Sequence, residues 1–154
     1  MNLKKVFDFI KEKRGYDYPH LYKLFNGLPL TDDELTFNGS LDLRNKNITT
    51  LPDNLTIIDG GLFLTYSKIK TLPNNLTVGK SFFLTNADIT SLPDNLYVGR
   101  NLYIEGTKID KIPNNLRIEN EFWVIGTPLS KYNYEDIKKM IEDKGGYLGG
   151  LIIF

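Results

Sequence analysis

The sequence predicts an α/β-type repeat solenoid, a parallel β-sheet of about six short strands with helical caps at both ends. Three observations carry this. A pattern of about twenty residues that opens Leu/Ile-Pro-Asp/Asn-Asn-Leu occupies 51–71, 72–91, 92–111 and 112–131, and an internal period of that length marks a stacked array. In the middle of each copy the apolar residues alternate, as in Leu102-Tyr103-Ile104, which is the spacing of a strand with one buried face. The stretches before and after the array lack the pattern and carry apolar residues at helical spacing instead.

Residues 1–27 form the amino-terminal cap. Leu3, Val6, Phe7 and Ile10 share one face of a helix over 3–13, with Lys4, Lys5, Lys11 and Glu12 opposite and Gly15 past its end. A second short helix runs from about Tyr18 to Phe25, with Asp17 placed to cap it, Pro19 in its first turn and Asn26-Gly27 to stop it. Such a segment has a clear task, because the first apolar layer of a solenoid needs a cover.

Five repeats span 28–131, of 23, 21, 20, 20 and 20 residues. The first is degenerate: Thr31-Asp32-Asp33-Glu34 gives a capping-box signature where later copies carry Pro-x-Asn-Leu, yet Phe37, Leu41, Leu43 and Ile48 fall where Val98, Leu102, Ile104 and Ile109 fall in the fourth. The extra residue of the second copy lies near Ile57-Ile58 and predicts a bulge. Six apolar side chains per copy are too few to offset the entropy of ordering about twenty residues, so a copy is stable only when stacked on its neighbours. Pro52, Pro73, Pro93 and Pro113 lack an amide donor and belong outside the sheet. Asn54, Asn75, Asn95 and Asn115 form an unbroken column, expected to bond turn backbone.

Residues 132–154 close the single domain. Asn133-Tyr134-Glu135-Asp136 opens an amphipathic helix through about Lys144, with Ile137, Met140 and Ile141 on one face and Gly145-Gly146 at its end. The tail then aligns Tyr147, Leu151 and Ile153 with Val98, Leu102 and Ile104, which predicts a sixth strand.

The core Leu-x-Leu-x-x-Asn-x-Leu of the leucine-rich repeat family is similar to Leu102-Tyr103-Ile104-Glu105-Gly106-Thr107-Lys108-Ile109, followed by Ile112-Pro113. The Leu-Pro opening resembles the short repeats of bacterial effectors, and similar compact arrays occur in bacteriophage proteins. The resemblance implies a protein-binding solenoid, acting as a bacterial or phage factor on a host component. One departure stands out: where the family carries a buried asparagine ladder, this chain has Lys46, Ser67, Ala87, Thr107 and Thr127.

Outward strand centres read Asp42, Phe63, Phe83, Tyr103, Trp123 and Ile152. Four consecutive aromatic residues at solvent-facing positions would form a stripe about 14 Å long and expose about 400 Å², the size at which an apolar patch usually meets a partner. Polar or small residues flank it, with Ser40, Gly61, Ser81, Asn101 and Glu121 on one side and Arg44, Thr65, Thr85, Glu105 and Ile125 on the other. An aromatic centre with a polar rim is the anatomy of a protein-binding hot spot. Phe63, Phe83, Tyr103, Trp123, Arg44 and Glu105 are therefore the candidate partner-binding residues. The competing reading is that the rings only add cross-strand packing.

Composition narrows the alternatives. Nineteen basic residues balance nineteen acidic ones, so no global field recruits nucleic acid or an anionic membrane. The absence of cysteine excludes disulfides and thiolate metal sites and fits a reducing compartment. The amino terminus lacks the unbroken apolar core of a signal peptide and no run is long enough to span a bilayer, so the expected location is cytoplasmic, in a bacterium or a phage-infected cell, or in a virion. His20 is the only histidine, and Asp32-Asp33-Glu34 lacks calcium-loop spacing. No phosphate-cradling loop or nucleophile elbow is present. The expectation is a non-enzymatic protein with no catalytic residue, cofactor or metal. Its first-ranked role is protein binding through the aromatic face. The second is a structural or virion-associated protein that self-associates through the edge strand Leu151–Phe154. Carbohydrate or single-stranded nucleic-acid binding ranks third.

Overall fold

The structure is a computed structural model that describes residues 18–26 and 28–154. The chain winds into a parallel β-solenoid, and each winding contributes one two-residue strand to each of two sheets. The first sheet holds β1 (Thr36–Phe37), β3 (Ile57–Ile58), β5 (Thr77–Val78), β7 (Tyr97–Val98), β9 (Arg117–Ile118) and β11 (Tyr147–Leu148) in that order. The second holds β2 (Leu41–Asp42), β4 (Leu62–Phe63), β6 (Phe82–Phe83), β8 (Leu102–Tyr103), β10 (Phe122–Trp123) and β12 (Ile152–Ile153). The expected single sheet is thus corrected to two. The pairs Ile57-Ile58, Thr77-Val78, Tyr97-Val98 and Arg117-Ile118 each point one residue out and bury the next, so they pair across windings just as the later strands do.

Register holds both sheets to the repeat. Leu62, Phe82, Leu102 and Phe122 pair in sequence, and inward columns such as Ile58, Val78, Val98 and Ile118 are fully buried. Packing such columns removes apolar surface at about 25 cal/mol per Å². The bulge of the second copy is present, since Thr56 and Ile57 both donate backbone N–H to the Leu35 carbonyl, at 3.1 Å each. Pro52, Pro73, Pro93 and Pro113 lie outside the strands and are buried where the chain bends toward the next winding.

Helix α1 (Tyr18–Asn26) matches the expected second helix; the helix expected over 3–13 lies outside the described residues. Leu24 and His20 are buried, the His20 ring lies 5.4 Å from that of Phe37, and Lys23 forms an ion pair with Glu34. Glu34 also accepts from the Thr31 backbone N–H at 2.8 Å, the second half of the expected capping box.

Helix α2 (Tyr134–Asp143) is inserted within the last winding, which is why β9 and β11 pair thirty residues apart, Arg117 with Tyr147. Asn133 Oδ1 accepts from the Asp136 N–H at 2.9 Å, and Ile137 and Ile141 are buried. Gly145 (φ 75°) and Gly146 donate to the Glu142 and Ile141 carbonyls, at 2.9 Å each, closing the helix in a Schellman motif. The last strand sits one residue away from its expected register. Ile152 pairs with Phe122 and is buried, so Ile153, which pairs with Trp123, is the outward residue. Tyr147 points outward under the Arg117 guanidinium, 5.1 Å from its ring, and Leu148 takes the inward place.

Candidate binding face

The outer surface of the second sheet carries the aromatic column. Phe63, Phe83, Tyr103 and Trp123 follow inward leucine or phenylalanine residues in β4, β6, β8 and β10, and strand alternation turns all four outward. Each is half-buried. Phe63 and Phe83 stack at 4.8 Å with 6° between ring planes, Phe83 and Tyr103 at 4.5 Å with 5°, and Tyr103 and Trp123 lie 5.5 Å apart at 33°. The spacing is that of neighbouring parallel strands, so the sheet itself imposes the stack. A consequence follows for recognition. The rings cover one another's faces, and what they present outward is their electropositive edges.

Both ends of the column are closed. Arg44 stands over Phe63 with its guanidinium carbon 5.5 Å from the ring centroid. Its Nε and Nη2 donate to the Asp42 carboxylate at 2.9 and 2.6 Å, and these bonds hold Asp42 below its usual carboxylate range. At the other end, Ile153 is the strand neighbour of Trp123.

The flanks are hydrogen-bonded into the sheet. Asn101 Nδ2 donates to the Tyr103 hydroxyl at 2.8 Å and to Glu121 Oε2 at 2.9 Å, and the same carboxylate oxygen accepts from Trp123 Nε1 at 2.9 Å. Glu105 Oε2 accepts from the Thr85 hydroxyl at 3.0 Å. These bonds fix the Tyr103 and Trp123 rings on one side, a network that residue types alone do not reveal. Of the scattered basic residues, Lys80 and Arg100 come together around a hollow of about 220 Å³ beside Phe63 and Phe83. Lys68 does not, because it lies with Lys70 beside Asp88, at 3.5 and 3.4 Å.

Ser67, Ala87, Thr107 and Thr127 form a buried column of small and hydroxyl side chains. Thr107 and Thr127 donate to the carbonyls of Ile104 and Val124 within their own winding, at 2.7 Å each. The exposed asparagine column bonds mostly to itself: Asn95 Nδ2 donates to Asn75 Oδ1 and Asn115 Nδ2 to Asn95 Oδ1, both at 2.7 Å. Asn54 alone among them bonds backbone as expected, to both the N–H and the carbonyl of Leu30.

Among the described residues no helix is long and apolar enough to cross a membrane, and no cluster of three or more histidine or acidic side chains could hold a metal. No family model, curated protein or solved structure matches this chain.

Proposed function

We propose that this protein is a non-enzymatic interaction module that binds a protein partner through the aromatic face of its second sheet. The observation that supports this reading is the run Phe63, Phe83, Tyr103 and Trp123, partly exposed on consecutive windings and bordered by hydrogen-bonded polar side chains. A rigid, preordered aromatic strip loses little entropy on contact, the property of a hot spot. The chain also reads as a leucine-rich repeat protein of the short Leu-Pro type, acting in the cytoplasm of a bacterium or phage-infected cell. Its two-sheet winding and the hydroxyl positions at Thr107 and Thr127 are the chain's own variations on that pattern.

Carbohydrate or nucleobase binding fits this geometry less well. Such ligands stack on ring faces, and here the faces are occupied by neighbouring rings and by Arg44. Self-association keeps one supporting observation, the exposure of Tyr147, Leu151 and Phe154 on and beside the last strands; light scattering during size-exclusion chromatography tests it, and a monomer at high concentration disposes of it.

The principal reading is tested by affinity capture with the full chain. Phe83→Ala combined with Trp123→Ala should abolish capture of the partner. Val78→Ala, buried in the first sheet, is the control for stability and should capture normally. Equal loss in both would mean that the rings act only through folding.

A further inference from the structure

A hollow at the Phe63 end of the aromatic face is lined by two basic side chains and two aromatic rings. Gly61 lines it where the neighbouring windings place Ser40 and Ser81; the Phe63 ring lies close over this glycine, since a Cβ there would be 3.1 Å from both Phe63 Cε2 and the Ser81 carbonyl oxygen. The space of about 220 Å³ is large enough for several waters or a carboxylate group. The Phe63 and Phe83 rings border it with their edges, because their faces are stacked on each other, and ring edges attract electron-rich oxygen. Lys80 and Arg100 stand on its rim. Among the described residues neither forms an ion pair, and no carboxylate lines the hollow.

The other charges of the face lie outside the hollow, and Glu105 and Glu121, bonded only to neutral donors, keep theirs. Arg44 is held by Asp42, Glu105 accepts from Thr85, and Glu121 accepts from Asn101 and Trp123. Two uncompensated cations and two positive ring edges therefore converge on one small space.

We infer that this hollow anchors a carboxylate side chain at one end of an extended peptide segment, whose following residues are apolar and lie along the Tyr103 and Trp123 edges. The inference rests on the reading of the aromatic face as a protein-binding surface and adds the chemical class of what it binds.

The test uses the full chain and a fluorescently labelled synthetic peptide of two glutamates followed by alternating leucine and serine, read by anisotropy at low and raised salt. Replacing the glutamates by glutamine should weaken binding by roughly tenfold, toward the upper end for two partly exposed charge pairs acting together. The double variant Lys80→Gln, Arg100→Gln should lose a similar factor, while Lys68→Gln with Lys108→Gln, outside the hollow, should bind as the parent does. Raised salt should weaken the glutamate peptide selectively. No binding at millimolar peptide, equal binding of the glutamine peptide, or no loss in the Lys80/Arg100 variant would overturn the proposal. So would tighter binding of an oligothymidylate of equal charge.

The capture experiment separates this inference from the reading beneath it. If the Lys80/Arg100 variant captures the partner undiminished while the Phe83/Trp123 variant fails, the acidic anchor is overturned and the aromatic face stands. If neither variant loses capture, both are overturned.

Discussion

Asn75, Asn95 and Asn115 adopt left-handed backbone conformations, with φ of 62°, 58° and 54°. Asparagine tolerates this region better than most residues, and here the side chains also link successive windings by the Nδ2–Oδ1 bonds. Asn95→Ala would remove two such bonds and force a Cβ-bearing side chain without local hydrogen bonding into the left-handed region, for a loss of about 2 kcal/mol. Asn95→Gly keeps the backbone geometry and should lose about half as much; urea unfolding of the two variants checks the order, and a glycine variant less stable than the alanine one would rule out strain. The column was legible in the sequence, but its partners were not, because a positive φ cannot be read from residue type. Glu34 links charge to stability at the other end of the array. Burial alone would raise its carboxyl, yet hydrogen bonds from Lys23 and Thr31 outweigh that and hold it below the ordinary value of 4.5. A carboxylate with a lowered folded pKa contributes stability above its unfolded value and loses it as pH falls through the folded one. Glu34→Gln should therefore cost about 1 kcal/mol at neutral pH, and the gap between variant and parent should close as unfolding is repeated below pH 4.5. A gap that persists in acid would mean that the charge is not what ties α1 to the first winding.

The elements show why the second sheet could be foreseen and the first could not. Leu102-Tyr103-Ile104 and its equivalents place an outward residue between two buried ones, a three-residue alternation that repeats visibly. The strands of the first sheet are two residues long, and a single outward-inward pair such as Thr77-Val78 is not distinguishable from a turn on periodicity alone. The slip in β12 has a related cause. Apolar side chains at both Tyr147 and Leu148, and at both Ile152 and Ile153, leave the alternation ambiguous, and a shift of one residue exchanges the buried and exposed sets. The candidate site was legible as a column of rings because it inherits the repeat; the hollow was not, because it depends on how the Lys80 and Arg100 side chains reach from one corner of successive windings toward Gly61 and the Phe63 and Phe83 rings. The stacked rings also contribute to stability. Phe83 touches a ring on each side, and each stacked pair is worth about 0.5–1.5 kcal/mol, so Phe83→Ala should lower stability by about 1–3 kcal/mol in chemical denaturation. Phe83→Tyr should retain most of it, since Tyr103 already stacks in the same column. A Phe83→Ala variant as stable as the parent would mean that the rings stack without contributing to the fold, which would strengthen the case that they are maintained for contact.

For the whole molecule, the governing feature is that each winding bonds mainly to its neighbours. Leu43, Leu64, Leu84, Ile104 and Val124 donate their amides to the carbonyls of Phe63, Phe83, Tyr103, Trp123 and Ile153 respectively, at 2.8 to 3.0 Å. A stack of this kind opens by nearest-neighbour steps, and a winding with a neighbour on each side opens only after one of them has. The two ends differ in how they are held. The first windings lean on α1 through Leu24 and the Lys23–Glu34 pair, whereas the last is braced from within by α2, whose Ile137 and Ile141 are buried. Native-state hydrogen exchange should therefore find the Leu84 and Ile104 amides the slowest, near the global unfolding limit. Leu43 and Val124 should exchange through smaller openings, and Glu34→Gln should speed Leu43 while leaving Val124 unchanged. If all five amides exchange at one common free energy, and Glu34→Gln moves them together, the windings unfold as one cooperative unit and the nearest-neighbour account fails.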